Sequence, residues 1–165
     1  MILITGGIKS GKSNFALQLA RKFRRRAFLA TGVPFDEEME KRIKKHKQER
    51  GNDFETYEES LEVPKVLKII ENNYDVIVFD CLTTYLGNLM HYNVEIQTYI
   101  NDLIDTLSTL KCESVIITNE TGWGIIPDNK LARQYVEILG KINSQIANLS
   151  REVYLMISGI GVKLK

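Results

Sequence analysis

An α/β fold, with a mostly parallel sheet flanked by helices, is what this 165-residue sequence predicts, and three observations carry the prediction. Short apolar runs alternate with helical patterns along the chain, as in successive βαβ units. The segment from Tyr74 to Asp80 is apolar throughout its middle, as a central strand covered on both faces must be. A glycine-rich segment, Gly6-Gly7-Ile8-Lys9-Ser10-Gly11-Lys12-Ser13, stands between the strand-like run Ile2-Leu3-Ile4 and an amphipathic run beginning at Phe15.

Strands are expected over 2–5, 27–30, 76–79, 114–118 and 153–157, where apolar residues cluster, with a weaker one near 54–57. Helices are expected over 13–24, 36–50, 63–72, 83–90, 94–110 and 128–149. The last opens on Pro127-Asp128, a good start signal. Its residues Leu131, Tyr135, Ile138, Ile142, Ile146 and Leu149 recur at near-helical spacing and predict a buried stripe.

The bulk properties bound the function. The length suits one domain over 1–165 with a sizeable core. A net charge of +1 gives no reason to expect DNA or another polyanionic partner, and no nucleic-acid motif is present. The basic run from Lys22 to Arg26 reads as solvated surface. Apolar stretches fall far short of a membrane span, and an N-terminus that starts directly with a core strand leaves no room for a signal peptide. The expected location is cytoplasmic. Cys81 and Cys112 form neither a metal spacing nor a disulfide framework, so both are read as reduced and structural.

Residues Gly6 to Ser13 match the pattern G-x-x-x-x-G-K-[ST] in the strand–loop–helix context that its chemistry requires. Glycines at 6, 7 and 11 allow backbone N–H groups to converge on phosphate oxygens, and the following helix start adds its dipole. Lys12 is expected at the β/γ-phosphates and the Ser13 hydroxyl on Mg²⁺. The chain is therefore expected to bind a nucleoside triphosphate. Asp80 ends a buried strand, hence lies at the carboxyl edge where ligands of open α/β sheets bind, and is a second candidate for holding Mg²⁺.

The segment from Asp36 to Arg50 is almost entirely charged. Pairs such as Glu37–Lys41, Glu38–Arg42 and Glu40–Lys44 fit a solvated helix. One face departs from that description: Met39, Ile43, His46 and Arg50 fall at i, i+4, i+7 and i+11, with Arg42 nearby. Cations around His46 disfavour its imidazolium form, and neutral imidazole is what a nucleophile requires. On these residues alone, a surface or packing histidine is the simpler reading. His91 lacks such a constellation and is read as structural.

Several segments together resemble the bifunctional adenosylcobinamide kinase/adenosylcobinamide-phosphate guanylyltransferase family of cobalamin biosynthesis. They are Ile2 through Ser13, Ala30-Thr31, Glu38-Met39 with Arg42-Ile43-Lys44-Lys45-His46, and Asp80-Cys81-Leu82-Thr83-Thr84. Thr118-Asn119-Glu120 with Gly122, Gly124 and Pro127, then Asn129 with Leu131-Ala132-Arg133, and finally Ser158 to Lys163 complete the set. The phosphate loop is widely shared, whereas the Arg-Ile-x-x-His segment, the Asn-Glu-x-Gly-x-Gly-x-x-Pro loop and the Ser-Gly-Ile-Gly-Val-Lys ending are specific. The chain lacks the proline that the family often shows within 54–60.

The resemblance implies a RecA-like P-loop NTPase domain with two activities. The hydroxyl of adenosylcobinamide's aminopropanol arm is phosphorylated by ATP or GTP. GMP then passes from GTP, through a histidine-bound intermediate, to that phosphate, giving adenosylcobinamide-GDP and pyrophosphate. It maps the guanylylated histidine onto His46 and makes Lys12 and Asp80 its catalytic companions, Asp80 holding Mg²⁺ with general-base help to the substrate hydroxyl as a second role open to it. Nucleotide contacts are implied at Gly6, Gly7, Ile8, Lys9, Ser10, Gly11, Lys12 and Ser13, and at Lys47, Gln48, Glu49, Arg50 and Asp80. Thr31, Gly32, Val33 and Pro34 follow the second strand at the sheet edge suited to line the nucleotide pocket. A further contact falls at Glu58 or Glu59. A homotrimer is implied as well. Trp123, within a Gly-flanked loop, suits either a cover over the corrinoid or a subunit contact. The competing readings are another small-molecule P-loop kinase without guanylyl transfer, and a nucleotide-dependent switch protein.

Overall fold

A computed structural model describes residues 1–33, 47–48 and 51–165. Its centre is a seven-stranded sheet made of β1 (Ile2–Gly6), β2 (Arg26–Ala30), β3 (Glu55–Glu58), β4 (Val76–Asp80), β5 (Glu113–Ile117), β6 (Glu152–Ile157) and β7 (Ile160–Lys163). The spatial order is β3-β2-β4-β5-β1-β6-β7. All pairings are parallel except β6–β7, which is antiparallel. The helices among the described residues are α1 (Lys12–Ala20), α2 (Val63–Ile70), α3 (Leu82–His91), α4 (Ile96–Thr109) and α5 (Lys130–Leu149).

Strand alternation divides the core into two layers. Leu3, Leu29, Ile77, Phe79 and Ile116 pack on one face with Leu67, Leu86, Leu103 and Ile142 of α2 to α5. Ile2, Ile4, Phe28, Val78 and Ile117 pack on the other with Ala16, Leu17 and Ala20 of α1. Both faces are covered, which is why these strands read as continuous apolar runs.

Local chemistry fixes the helix starts. Pro64 occupies the first turn of α2, Glu95 accepts from Thr98 N at 2.7 Å to cap α4, and Asn129 accepts from Leu131 N and Ala132 N to cap α5. The Cys81 sulfur accepts from Thr84 N at the start of α3. At α1 the N-cap is Gly11, and no side chain takes up the first amides.

Several expectations are corrected. α1 ends at Ala20, and residues 21–25 turn into β2 instead of continuing the helix to 24. α5 starts at Lys130, capped by Asn129, two residues beyond the predicted Asp128. Its buried face is Leu139, Ile142, Asn143 and Ile146, while Leu131 and Leu149 are exposed. Both ends of the helix therefore extend past the buried core. β7 was not expected: its run Ile160-Gly161-Val162-Lys163 is short, exposed and interrupted by glycine. The helix expected over 36–50 lies outside the described residues except for Lys47 and Gln48, which are helical.

Candidate active site

Strand ends converge at the carboxyl edge of the sheet. Register pairing sets Ile4 of β1 level with Ile117 of β5, and Asp80 of β4 level with both Ile117 and Ala30 of β2. Ala30 is in turn level with Glu58 of β3. The chain beyond each of these residues reaches the same edge, where ligands of open α/β sheets sit.

The glycine-rich loop leaves β1 at Gly6, with φ +144°, where an added Cβ would lie 2.5 Å from the Met156 carbonyl oxygen. Gly11, at φ +95°, leads into α1, and an added Cβ there would meet Gly159 Cα at 3.3 Å. Only glycine satisfies both the left-handed backbone and the close approach. The β6–β7 turn is fastened to the loop by a hydrogen bond from Gly159 N to Ser10 O at 3.0 Å. Ser10 is buried, and its hydroxyl has no hydrogen-bond partner among the described residues. Ile8 and Lys9 lie at the loop's outer turn, Ile8 exposed and Lys9 at φ +57°.

Lys12 is buried, and its ammonium donates to Gly7 O at 2.6 Å and Gly6 O at 3.2 Å. The side chain therefore folds back over its own loop, across the space that the loop's amides surround. Ser13 Oγ donates to Asp80 Oδ2 at 3.0 Å, bringing together the two residues expected to bind Mg²⁺. A hydroxyl and one carboxylate at a phosphate loop suit Mg²⁺, which keeps water and phosphate oxygens as its other ligands. Among the described residues no cluster of three or more His, Cys, Asp or Glu offers an all-protein metal cage.

Behind Asp80 stands a polar clasp that no sequence motif announces. Thr31 N donates to Asp80 O at 3.0 Å, Thr31 Oγ1 donates to Cys81 O at 3.0 Å, and Cys81 N donates back to Thr31 Oγ1 at 3.0 Å. Asn88, wholly buried in α3, donates to Thr31 O at 2.8 Å and to Ser60 O at 3.1 Å. Burial pushes the Cys81 thiol up, and the adjacent Asp80 carboxylate adds to that shift, so the sulfur stays neutral. The only sequence signal for this clasp was polar residues immediately after apolar strands.

Gly32 and Val33 follow the clasp, half-buried. Pro34, His46, Glu49 and Arg50 lie outside the described residues. Lys47 is described, and its ammonium is 2.7 Å from Glu58 Oε1 at the end of β3. Glu58 thus pairs with the residue that follows His46 in sequence. Glu59 is occupied otherwise, accepting from Leu61 N at 2.8 Å and Glu62 N at 3.0 Å ahead of α2. Gln48 is exposed. His91 stacks edge-on against Tyr92 at the end of α3. Trp123, Ile125 and Ile126 are exposed, and their loop borders a cavity of about 170 Å³ lined by Thr121, Pro127, Arg133 and Val136. No helix among the described residues is long and apolar enough to cross a membrane.

Comparison with known proteins adds a whole-chain match. The cobinamide kinase / cobinamide phosphate guanyltransferase family profile matches residues 2–164. The bifunctional adenosylcobalamin biosynthesis protein CobU of Escherichia coli (strain K12) is 34% identical over 180 residues, covering 100% of this chain and 99% of the relative. CobU of Salmonella typhimurium is equally similar, at 34% over 180 residues with the same coverage. The bifunctional protein CobP of Pseudomonas aeruginosa is 31% identical over 166 residues, covering 99% of this chain and 96% of the relative.

Proposed function

Because the chain belongs to the cobinamide kinase / cobinamide phosphate guanyltransferase family, we propose that one site at the sheet edge serves both reactions of that family, with His46 as the guanylylated residue. The observation that carries the site is the apposition of Ser13 Oγ and Asp80 Oδ2 at 3.0 Å beside a loop whose lysine lies across its own mouth.

In the kinase reaction the loop amides and Lys12 hold the triphosphate of ATP or GTP, and the unmet Ser10 hydroxyl is a further donor for a phosphate oxygen. The arm hydroxyl of adenosylcobinamide attacks the γ-phosphorus, and the nucleoside diphosphate departs. In guanylyl transfer neutral His46 attacks the α-phosphorus of GTP, and pyrophosphate departs with its charge steadied by Lys12. The phosphate of adenosylcobinamide phosphate then displaces the imidazole and takes the GMP. Ser13 and Asp80 would hold Mg²⁺, which supplies charge neutralisation of the phosphates. The Lys47–Glu58 pair supports the assignment of His46, since it ties the neighbouring residue to the edge where Asp80 lies.

Nucleotide contacts are assigned to Gly6 through Ser13, Gly32, Val33, Pro34, Lys47, Gln48, Glu49, Arg50 and Asp80, with Glu58 preferred over the capping Glu59. The assembly proposed is a cytoplasmic homotrimer. Ile157, Ile160, Val162 and Leu164 are exposed apolar side chains that such an assembly would cover.

Incubation with GTP labelled at the α-phosphate tests the reading. An acid-labile, base-stable protein adduct is expected, absent in His46→Ala and retained in His91→Ala. A wild-type protein that phosphorylates cobinamide yet forms no adduct would favour the plain kinase. An adduct that survives in His46→Ala would move the nucleophile elsewhere.

A further inference from the structure

We propose that Glu120 is the general base of the kinase reaction, accepting the proton of the attacking hydroxyl. The inference rests on the two-reaction reading above and adds a residue to it.

β5 lies between β1, which bears the phosphate loop, and β4, which ends in Asp80. The chain beyond Ile117 therefore emerges between the loop and the Ser13–Asp80 pair. Thr118 and Asn119 are held rigidly there: Thr118 N donates to Ile4 O, Thr118 Oγ1 to Asn143 Oδ1, and Asn119 N to Thr83 Oγ1. Asn143 Nδ2 returns to Asn119 O at 3.0 Å. Glu120 N then donates to Gly6 O at 3.2 Å, the same oxygen that accepts from Lys12 Nζ. One carbonyl thus separates the Glu120 backbone from the ammonium expected at the β/γ-phosphates.

The carboxylate is oriented but not consumed. Glu120 Oε1 accepts from Thr5 Oγ1 at 2.7 Å, and Oε2 has no hydrogen bond or ion pair among the described residues. The other edge carboxylates among the described residues are engaged in different ways. Asp80 meets Ser13, Glu58 meets Lys47, and Glu59 takes two backbone amides. A base needs an acceptor oxygen that is fixed in place, half-open and not neutralised by a cation, and Glu120 meets all three conditions.

The proton balance is simple. The arm oxygen forms its bond to the γ-phosphorus while the bond from that phosphorus to the β,γ-bridging oxygen breaks. The bridging oxygen keeps the electron pair and leaves with the nucleoside diphosphate. The hydroxyl proton passes to Glu120 Oε2. Guanylylation has no such demand, because neutral imidazole carries no proton on the attacking nitrogen. The two reactions therefore differ in their need for Glu120.

Glu120→Gln keeps the shape and an acceptor for Thr5. The expected result is a kinase kcat lowered about 10²–10⁴-fold, with cobinamide and nucleotide KM changed less than threefold and labelling by α-labelled GTP at the wild-type rate. Glu120→Asp should recover part of the kinase rate. A kinase kcat within threefold of wild type overturns the inference. Parallel loss of kinase activity and labelling overturns it too, because it would make Glu120 a support of the loop instead. A wild-type protein that neither phosphorylates cobinamide nor takes label would sink the two-reaction reading itself, which the variant results alone cannot do.

Discussion

Gly6 concentrates three constraints on one residue. Its backbone sits at φ +144°, its missing Cβ makes room for Met156 O, and its carbonyl receives both Lys12 and Glu120 N–H. Gly6→Ala should cost about 1–3 kcal/mol in backbone strain alone, and the loop must shift to relieve the contact with Met156. The expected outcome is a lower Tm and a GTP-induced rise in Tm much smaller than that of wild type. An unchanged GTP-induced rise would refute this account of the loop. Gly6, Lys12, Ser13 and Asp80 were legible in the sequence because the motif states a spacing and the spacing implies a geometry. Glu120 was quoted there without a role, and Thr31 only as the start of a segment lining the nucleotide pocket. Both lie within three residues of a strand end, and only the strand order shows which polar residues there flank the loop.

Among the elements, α3 does more than cover the sheet. Its first turn is capped by the sulfur next to Asp80, and its buried Asn88 joins the loop after β2 to the loop before α2. Asn88→Leu would fill the space and leave the carbonyls of Thr31 and Ser60 without their donor. The expected loss of stability is about 1–3 kcal/mol for each oxygen left unsatisfied, measured by urea unfolding. A loss under about 0.5 kcal/mol would mean that water replaces the amide without cost. Asn88 was invisible in the sequence, because an asparagine inside an amphipathic helix is ordinarily a surface residue. The strands were the most legible elements, since burial on both faces leaves uninterrupted apolar runs. β7 escaped notice because an edge strand, paired on one side and exposed, needs no such run. The α5 stripe was misplaced toward its ends because helical spacing gives the direction of a face but not how far the neighbouring sheet extends beneath it.

At the scale of the molecule, the two edges of the sheet divide the work. The carboxyl edge carries the proposed nucleotide site, and the amino edge carries ion pairs. There Asp75 accepts from Arg25 N at 2.9 Å, Nε at 3.0 Å and Nη2 at 2.7 Å, joining the start of β2 to the start of β4. The Arg25 side chain and backbone hold the Asp75 carboxyl below its ordinary value of 3.8. A group whose folded pKa is depressed stabilises the fold above its unfolded value, and that contribution is lost as pH falls through the folded one. Asp75→Asn should therefore be less stable than wild type at pH 7, and the two proteins should converge as the pH drops below 3.8. Unfolding curves collected across this range check it, and a gap that persists undiminished at the acid end would refute it. Kinase and labelling rates of the folded variant should match wild type, because the pair lies at the opposite end of the strands from Asp80. The division of edges followed from the parallel topology that the sequence predicted. The partner of β6 did not, and neither did the pairing of Glu58 with Lys47, since both depend on which segments fold back onto the sheet.

The bond from Gly159 to Ser10 gives the last hairpin of the chain a hold on its first loop. The shape of the phosphate loop is thus set partly by residues translated some 150 positions later. A newly made chain whose β6–β7 ribbon has not yet docked would have its phosphate loop in sequence but not in form. Drift in the ribbon's outward side chains could then retune the cradle while leaving every residue of the phosphate loop untouched.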